Sequence, residues 1–172
     1  MLFRDLHADE IECRVQSVKE KGIVLLLYKD ARCDMRILDE TVGPENWQRE
    51  HYECKGNLFC RVGILIERHG KDEDWCEWVW KSDCGTESNT EAVKGESSDS
   101  YKRACFSWGI GRELYTAPFI WIPADKCSIQ GGKCFDKFEV EKIKIEDKRI
   151  TALSIWNKTR DLRAFVWMEE QK

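Results

Sequence analysis

The stretch KGESSDSYKRACFSWGIGRELY, residues 94–115, decides how the chain is read. Tyr101, Ala104, Cys105 and Trp108 recur at i, i+3, i+4 and i+7, the spacing of one buried helix face. Ser97 and Ser98 stand just before that pattern, where a serine hydroxyl can cap the first unsatisfied amides. Gly109 and Gly111 end it, because glycine enters the left-handed geometry of a C-terminal cap without steric cost. Lys102 and Arg103 lie beside the stripe as an adjacent basic pair. On periodicity alone they read as solvated charges at the edge of a core helix.

Upstream, Gly22 precedes IVLLLY, which reads as a buried strand. Asp30 can cap ARCDMRILDETV, a helix with Met35, Leu38 and Val42 as its stripe, and Gly43-Pro44 stops it. Nearer the start, Leu6, Ile11 and Val15 are compatible with a short helix that contains Arg14. Residues 47–53, 58–66 and 75–84 read as three strands, the first two joined at Lys55-Gly56-Asn57 and the last two by the charged loop HGKDED. Trp78 and Trp80 alternate along the third and share a face. Residues 86–100 are polar and read as a flexible connection. Downstream, APFIWIP is an extended apolar segment between Pro118 and Pro123. Beyond Gly131-Gly132, FEVEKIKI, RITALSIW and LRAFVW alternate as three antiparallel strands, joined at 146–148 and 157–159. The expected class is α+β. A β-α-β-β-β-α core, with an antiparallel sheet packed on a helix, occupies residues 1–123. A C-terminal antiparallel β-meander over 124–172 packs on it as an extension.

Composition narrows the function. With 42% hydrophobic and 35% charged residues, the 172-residue chain reads as a soluble globular protein. It has neither a membrane-length apolar run nor a secretory leader, so the cytoplasm is the expected compartment. Nine cysteines with no CxxC, and His7, His51 and His69 without ligand spacing, read as reduced structural thiols rather than disulfides or a metal centre. Cys13, Cys33, Cys60 and Cys105 fall among apolar neighbours. Adjacent Asp72, Glu73 and Asp74 read as turn residues rather than metal ligands. A net charge of −4 argues against an all-over basic surface but leaves room for a local basic groove. No phosphate-loop, dinucleotide, nucleophile-elbow or zincin motif occurs, so no cofactor and no enzymatic activity are expected.

Taken in order, ADEIECRV (8–15), LLLYKDARCDMRILDETVGPENW (25–47), DCGTES (83–88) and DSYKRACFSWGIGRELYTAPFIWIP (99–123) resemble the Rad fifty-two family of single-strand annealing proteins, and more closely its phage and prophage branch. The resemblance covers about the first three-quarters of the chain, and its core order is the same β-α-β-β-β-α. It implies a non-enzymatic DNA repair and recombination protein, located in a bacterial host's cytoplasm if phage-encoded. Such a protein assembles into a ring or helical filament and holds single-stranded DNA in a basic groove, with bases exposed for pairing. A single-strand DNA-binding protein is the further partner it implies. Carried over by position, Lys102 and Arg103 match the groove helix's basic pair, Lys94 another groove lysine, and Arg14 the arginine of an early helix. Arg32 matches a basic position at the start of the next helix. Two features depart from the pattern: Phe106 stands where the family can carry a cation, and GESSDS is acidic. Two other readings compete with annealing. One is a protein–protein module of phage replication or defence, favoured by the acidic balance. The other is a metal-dependent nuclease using Asp34, Asp39, Glu40 and Asp83.

Overall fold

A computed structural model describes residues 2–86 and 92–170. The chain forms two compact units: residues 31–110 with a short N-terminal piece ending at Arg4, and residues 5–30 with the chain from Gly111 onward.

In the first unit, helix α1 (Ala31–Val42) leads to strands β3 (Trp47–Cys54), β4 (Asn57–His69) and β5 (Asp74–Cys84), then to helix α2 (Ala92–Trp108). The strands form an antiparallel sheet in the order β3-β4-β5. Lys55 and Gly56 both take positive φ, 53° and 76°, the primed geometry that a two-residue hairpin between right-twisted strands requires. Strand register defines the two faces. Cys60, Val62 and Ile64 of β4 are fully buried on the face that α2 covers, and burying a side chain such as Ile64 is worth about 1.5–3 kcal/mol. The other face presents Tyr52, Phe59, Leu65, Trp78 and Trp80.

Two expectations change here. The stripe of α1 is Cys33, Asp34, Ile37 and Leu38 rather than Met35, Leu38 and Val42, and the buried acid Asp34 hides it from an apolar count. Helix α2 begins at Ala92, so Ser97 and Ser98 lie within it and do not cap it. Of the connection expected over 86–100, residues 87–91 lie outside the described residues, and the rest from Ala92 is helix. From Ala92 to Ser100 that segment contains Gly95 and three serines, all weak helix formers, so its helicity comes from the sheet. Glu96 Oε1 accepts the Leu58 amide at 3.0 Å, the His51 ring bonds the Ser97 carbonyl at 3.1 Å, and Asp99 Oδ2 accepts the Thr86 amide at 3.0 Å.

The second unit is a six-stranded antiparallel sheet in the order β6-β2-β1-β7-β8-β9. Its strands are β1 (Glu12–Lys19), β2 (Gly22–Tyr28), β6 (Ile120–Pro123), β7 (Phe138–Glu146), β8 (Arg149–Asn157) and β9 (Leu162–Met168). Ile23 and Leu25, Ile120 and Ile122, and Leu153 and Ile155 alternate into its core. The three C-terminal strands are as the sequence predicts, and Asp147-Lys148 makes a second two-residue turn with both φ positive. The helix expected around Arg14 is strand β1, paired with β2 from Glu12↔Tyr28 to Lys19↔Gly22. The register slips between Val15 and Ser17, and this bulge adds one residue to the alternation. Of the expected stripe Leu6, Ile11 and Val15, the first two precede β1 and only Val15 lies in it, so the three never share one helix face. Among the described residues, no helix is long and apolar enough to cross a membrane.

Candidate nucleic-acid interface

Helix α2 is fixed to the inner sheet face by apolar and polar contacts together. Tyr101, Ala104 and Cys105 are fully buried, and Tyr101 stacks on Trp47 with ring centroids 6.4 Å apart. Burial pushes the Tyr101 hydroxyl well above its ordinary pKa, with Cys105 and Asp34 adding to the shift. The Trp108 indole N–H donates to the Val62 carbonyl at 2.9 Å. At the C-terminus the Gly109 amide reaches the Phe106 carbonyl at 2.9 Å and the Ile110 amide reaches Cys105 at 3.1 Å. These are the paired bonds of a glycine-terminated helix, with Gly109 at φ 101°. Near the other end, Gly85 passes so close that a Cβ there would lie 2.2 Å from the Glu96 carbonyl oxygen.

The cations line both flanks of this helix. Across the inner face, Arg49 of β3, Val62 of β4 and Lys81 of β5 form one register row. The Arg49 guanidinium lies 4.8 Å from the Tyr101 ring centroid on the β3 side. On the β5 side, Lys81 Nζ donates to the Ser107 carbonyl at 3.0 Å and lies 4.6 Å from the Trp108 ring. Arg103 leans to the same side, its Nε 3.3 Å from Asp83 Oδ1, and its side chain remains 41% exposed. Lys102 is half-buried and, as the preceding residue, projects about 100° round the helix from Arg103. The pair adjacent in sequence therefore diverges in space. Arg49 and Lys81 were missed in the sequence, although strand alternation places each of them on the face that meets the helix.

The remaining candidates are spread more widely. Arg32 is exposed in the first turn of α1, and Lys94 lies in the first turn of α2. Arg14 belongs to the other unit, on the exposed side of β1, with its guanidinium 3.6 Å from the Tyr28 ring centroid. The Tyr28 hydroxyl donates to Glu12, and partial burial together with that carboxylate raises its pKa. The acidic GESSDS stretch, which lies within α2, is largely structural, since Glu96 and Asp99 hold backbone amides of Leu58 and Thr86. Phe106, where a further cation is expected by resemblance, is half-buried.

The acids of the nuclease reading are committed separately. Asp39 accepts the Trp47 indole N–H at 2.7 Å, Glu40 pairs with Arg4 at 2.7 Å, and Asp83 pairs with Arg103 and accepts the Cys84 amide. Asp34 is buried in α1. Among the described residues these four form no ligand group. The cysteines are unbridged. Burial raises Cys60 and Cys127 to about 11 and Cys13 to about 12, so these thiols stay protonated and act as small apolar groups.

The order β-α-β-β-β-α, with a glycine-terminated helix clamped on an antiparallel sheet and cations along its flanks, defines an α+β protein. Residues 1–126 match the family described as Rad52/22 family double-strand break repair protein, and the chain belongs to that family. Membership places it in DNA recombination and repair. The match includes α1, β3–β5, α2 and β6, and leaves the meander β7–β9 outside it. No curated protein matches the chain.

Proposed function

We propose that the protein binds single-stranded DNA through its phosphates and anneals complementary strands, as a homo-oligomer and without nucleotide hydrolysis. The observation that carries this reading is Arg103. It is a partly exposed, permanently charged group on a rigid helix inside the family-matched region, held by one carboxylate. A partly exposed pair of this kind is worth about 0–1 kcal/mol, so a phosphate can displace Asp83 from it. Lys102 flanks the same helix, and Lys81 adds a cation on the Arg103 side. Lys94, Arg32 and Arg14 are secondary candidates for backbone contact. Assembly is supported by the outer face of the three-stranded sheet. Tyr52 and Trp78 are 37% and 39% exposed there, and β3 and β5 are both edge strands.

The test is annealing of complementary labelled oligonucleotides in the absence of nucleotide and metal, with light scattering of the same samples. The parent protein should anneal and scatter as a multimer. Lys102→Ala with Arg103→Ala should weaken binding to all sequences alike and flatten its salt dependence by roughly one to two units of slope, with assembly intact. A double variant that anneals like the parent would remove these residues from the mechanism. A strict monomer at micromolar concentration, with and without DNA, would refute assembly.

A further inference from the structure

The far end of the β4–β5 hairpin gathers donor groups that the DNA-binding reading does not use. Glu67 and His69 are two residues apart on β4 and so share a sheet face. Asp74 of β5 stands directly opposite His69, and Cys76 directly opposite Glu67. Glu67, His69 and Asp74 each place a donor atom within 4.8 Å of the others, and His69 Nδ1 lies 3.2 Å from Asp74 Oδ2. Cys76, an exposed thiol, occupies the fourth corner by strand register, with its sulfur outside that group of three. Corners directly across the strands are about 5 Å apart at Cβ, and corners along a strand about 7 Å. Such a rectangle is small enough for one ion with bonds of about 2.0–2.3 Å to draw its side chains together.

The donor types choose the ion. One imidazole, two carboxylates and a thiol form a mixed nitrogen, oxygen and sulfur set. Calcium and magnesium, which take oxygen ligands, do not call for it, whereas a borderline divalent transition metal does. The local charge agrees: from Glu67 to Glu77 there are five carboxylates against Arg68 and Lys71. As an ion pair alone, His69 and Asp74 are 72% and 58% exposed, a setting in which pairs contribute little. We propose that this hairpin end binds one zinc-class divalent ion through His69, Glu67, Asp74 and Cys76. Binding forms a metal–sulfur bond as the Cys76 thiol releases its proton to solvent, with no redox change. The ion then ties β5 to β4 beyond the end of the α2 contacts. This site is independent of the annealing function, and its test contains no DNA.

The experiment is a Co2+ titration of the full chain, reduced and stripped of metal, followed by near-ultraviolet and visible absorption. The parent should take up one Co2+ per chain with a thiolate-to-cobalt charge-transfer band that Zn2+ abolishes. Cys76→Ser should remove that band, and the same change at exposed Cys54 should not. His69→Ala and Glu67→Gln should each weaken uptake by more than about tenfold, the loss that even an outer-sphere partner can cause. Both positions are exposed, and circular dichroism checks that the variants stay folded. Absence of the band in the parent, its survival in Cys76→Ser, or unchanged affinity in His69→Ala with the fold retained would each overturn the proposal.

Discussion

Replacing Asp83 with asparagine should tighten DNA binding. In the free protein, Asp83 Oδ1 both accepts the Cys84 amide at 2.7 Å and lies 3.3 Å from Arg103 Nε. Asparagine keeps an oxygen for the Cys84 amide but withdraws the charge from Arg103, so the turn into Gly85 should hold. If DNA phosphate takes Arg103 from Asp83, the parent loses the ion pair on binding. With side chains 41% and 33% exposed, that pair is worth about 0.2–1 kcal/mol. The asparagine variant has no such pair to lose, so its affinity should rise by up to about fivefold, the equivalent of 1 kcal/mol. Fluorescence anisotropy with a labelled single strand across a salt series measures this directly. In an Arg103→Ala background the gain should vanish, because the pair is already gone. Equal tightening with and without Arg103 would mean that Asp83 simply repels DNA. No tightening in either background would refute the exchange of carboxylate for phosphate.

Three other outcomes follow from the geometry. Gly85→Ala should lower stability by about 1–3 kcal/mol in thermal melts, because its Cβ would meet the Glu96 carbonyl oxygen at 2.2 Å; an unchanged melting temperature would mean that α2 and the β5 exit part freely. Glu141 is held at about 2, against an ordinary 4.5, chiefly by its hydrogen bonds from Arg163. Its folded pKa is depressed, so its contribution is present above pH 4.5 and is lost as pH falls toward 2; Glu141→Gln should flatten stability against pH in that window, and an unaltered acid limb would count against the pair. Deleting residues 134–172 removes three of six strands from the second unit's sheet and should cause aggregation or loss of assembly before any loss specific to DNA. A soluble, normally assembled truncation that no longer binds DNA would instead put the meander in the binding site.

Parts of the fold whose causes are local are legible in the residues alone. The Tyr101, Ala104 and Cys105 stripe, the glycine end of α2, the three strands between Trp47 and Cys84 and the C-terminal meander all rest on periodicity or turn chemistry within a few residues of each other. The family-matched blocks are likewise linear, and so they named Lys102 and Arg103 as candidates before any geometry. Tertiary structure decided the rest, wherever a distant partner outweighed a local signal. Pairing with β2 made a strand around Arg14 where a helix is expected, and the sheet's grip on Glu96, Ser97 and Asp99 drew a serine-rich segment into α2. Buried Asp34 broke the apolar count of α1. Strand register put Asp74 across from His69, and register together with the packing of α2 on the sheet put Lys81 against Trp108 and Asp83 against Arg103. Each of those pairs is separated in sequence by a loop or a helix, and which side chains meet depends on hydrogen-bonded pairing that no short window of residues contains.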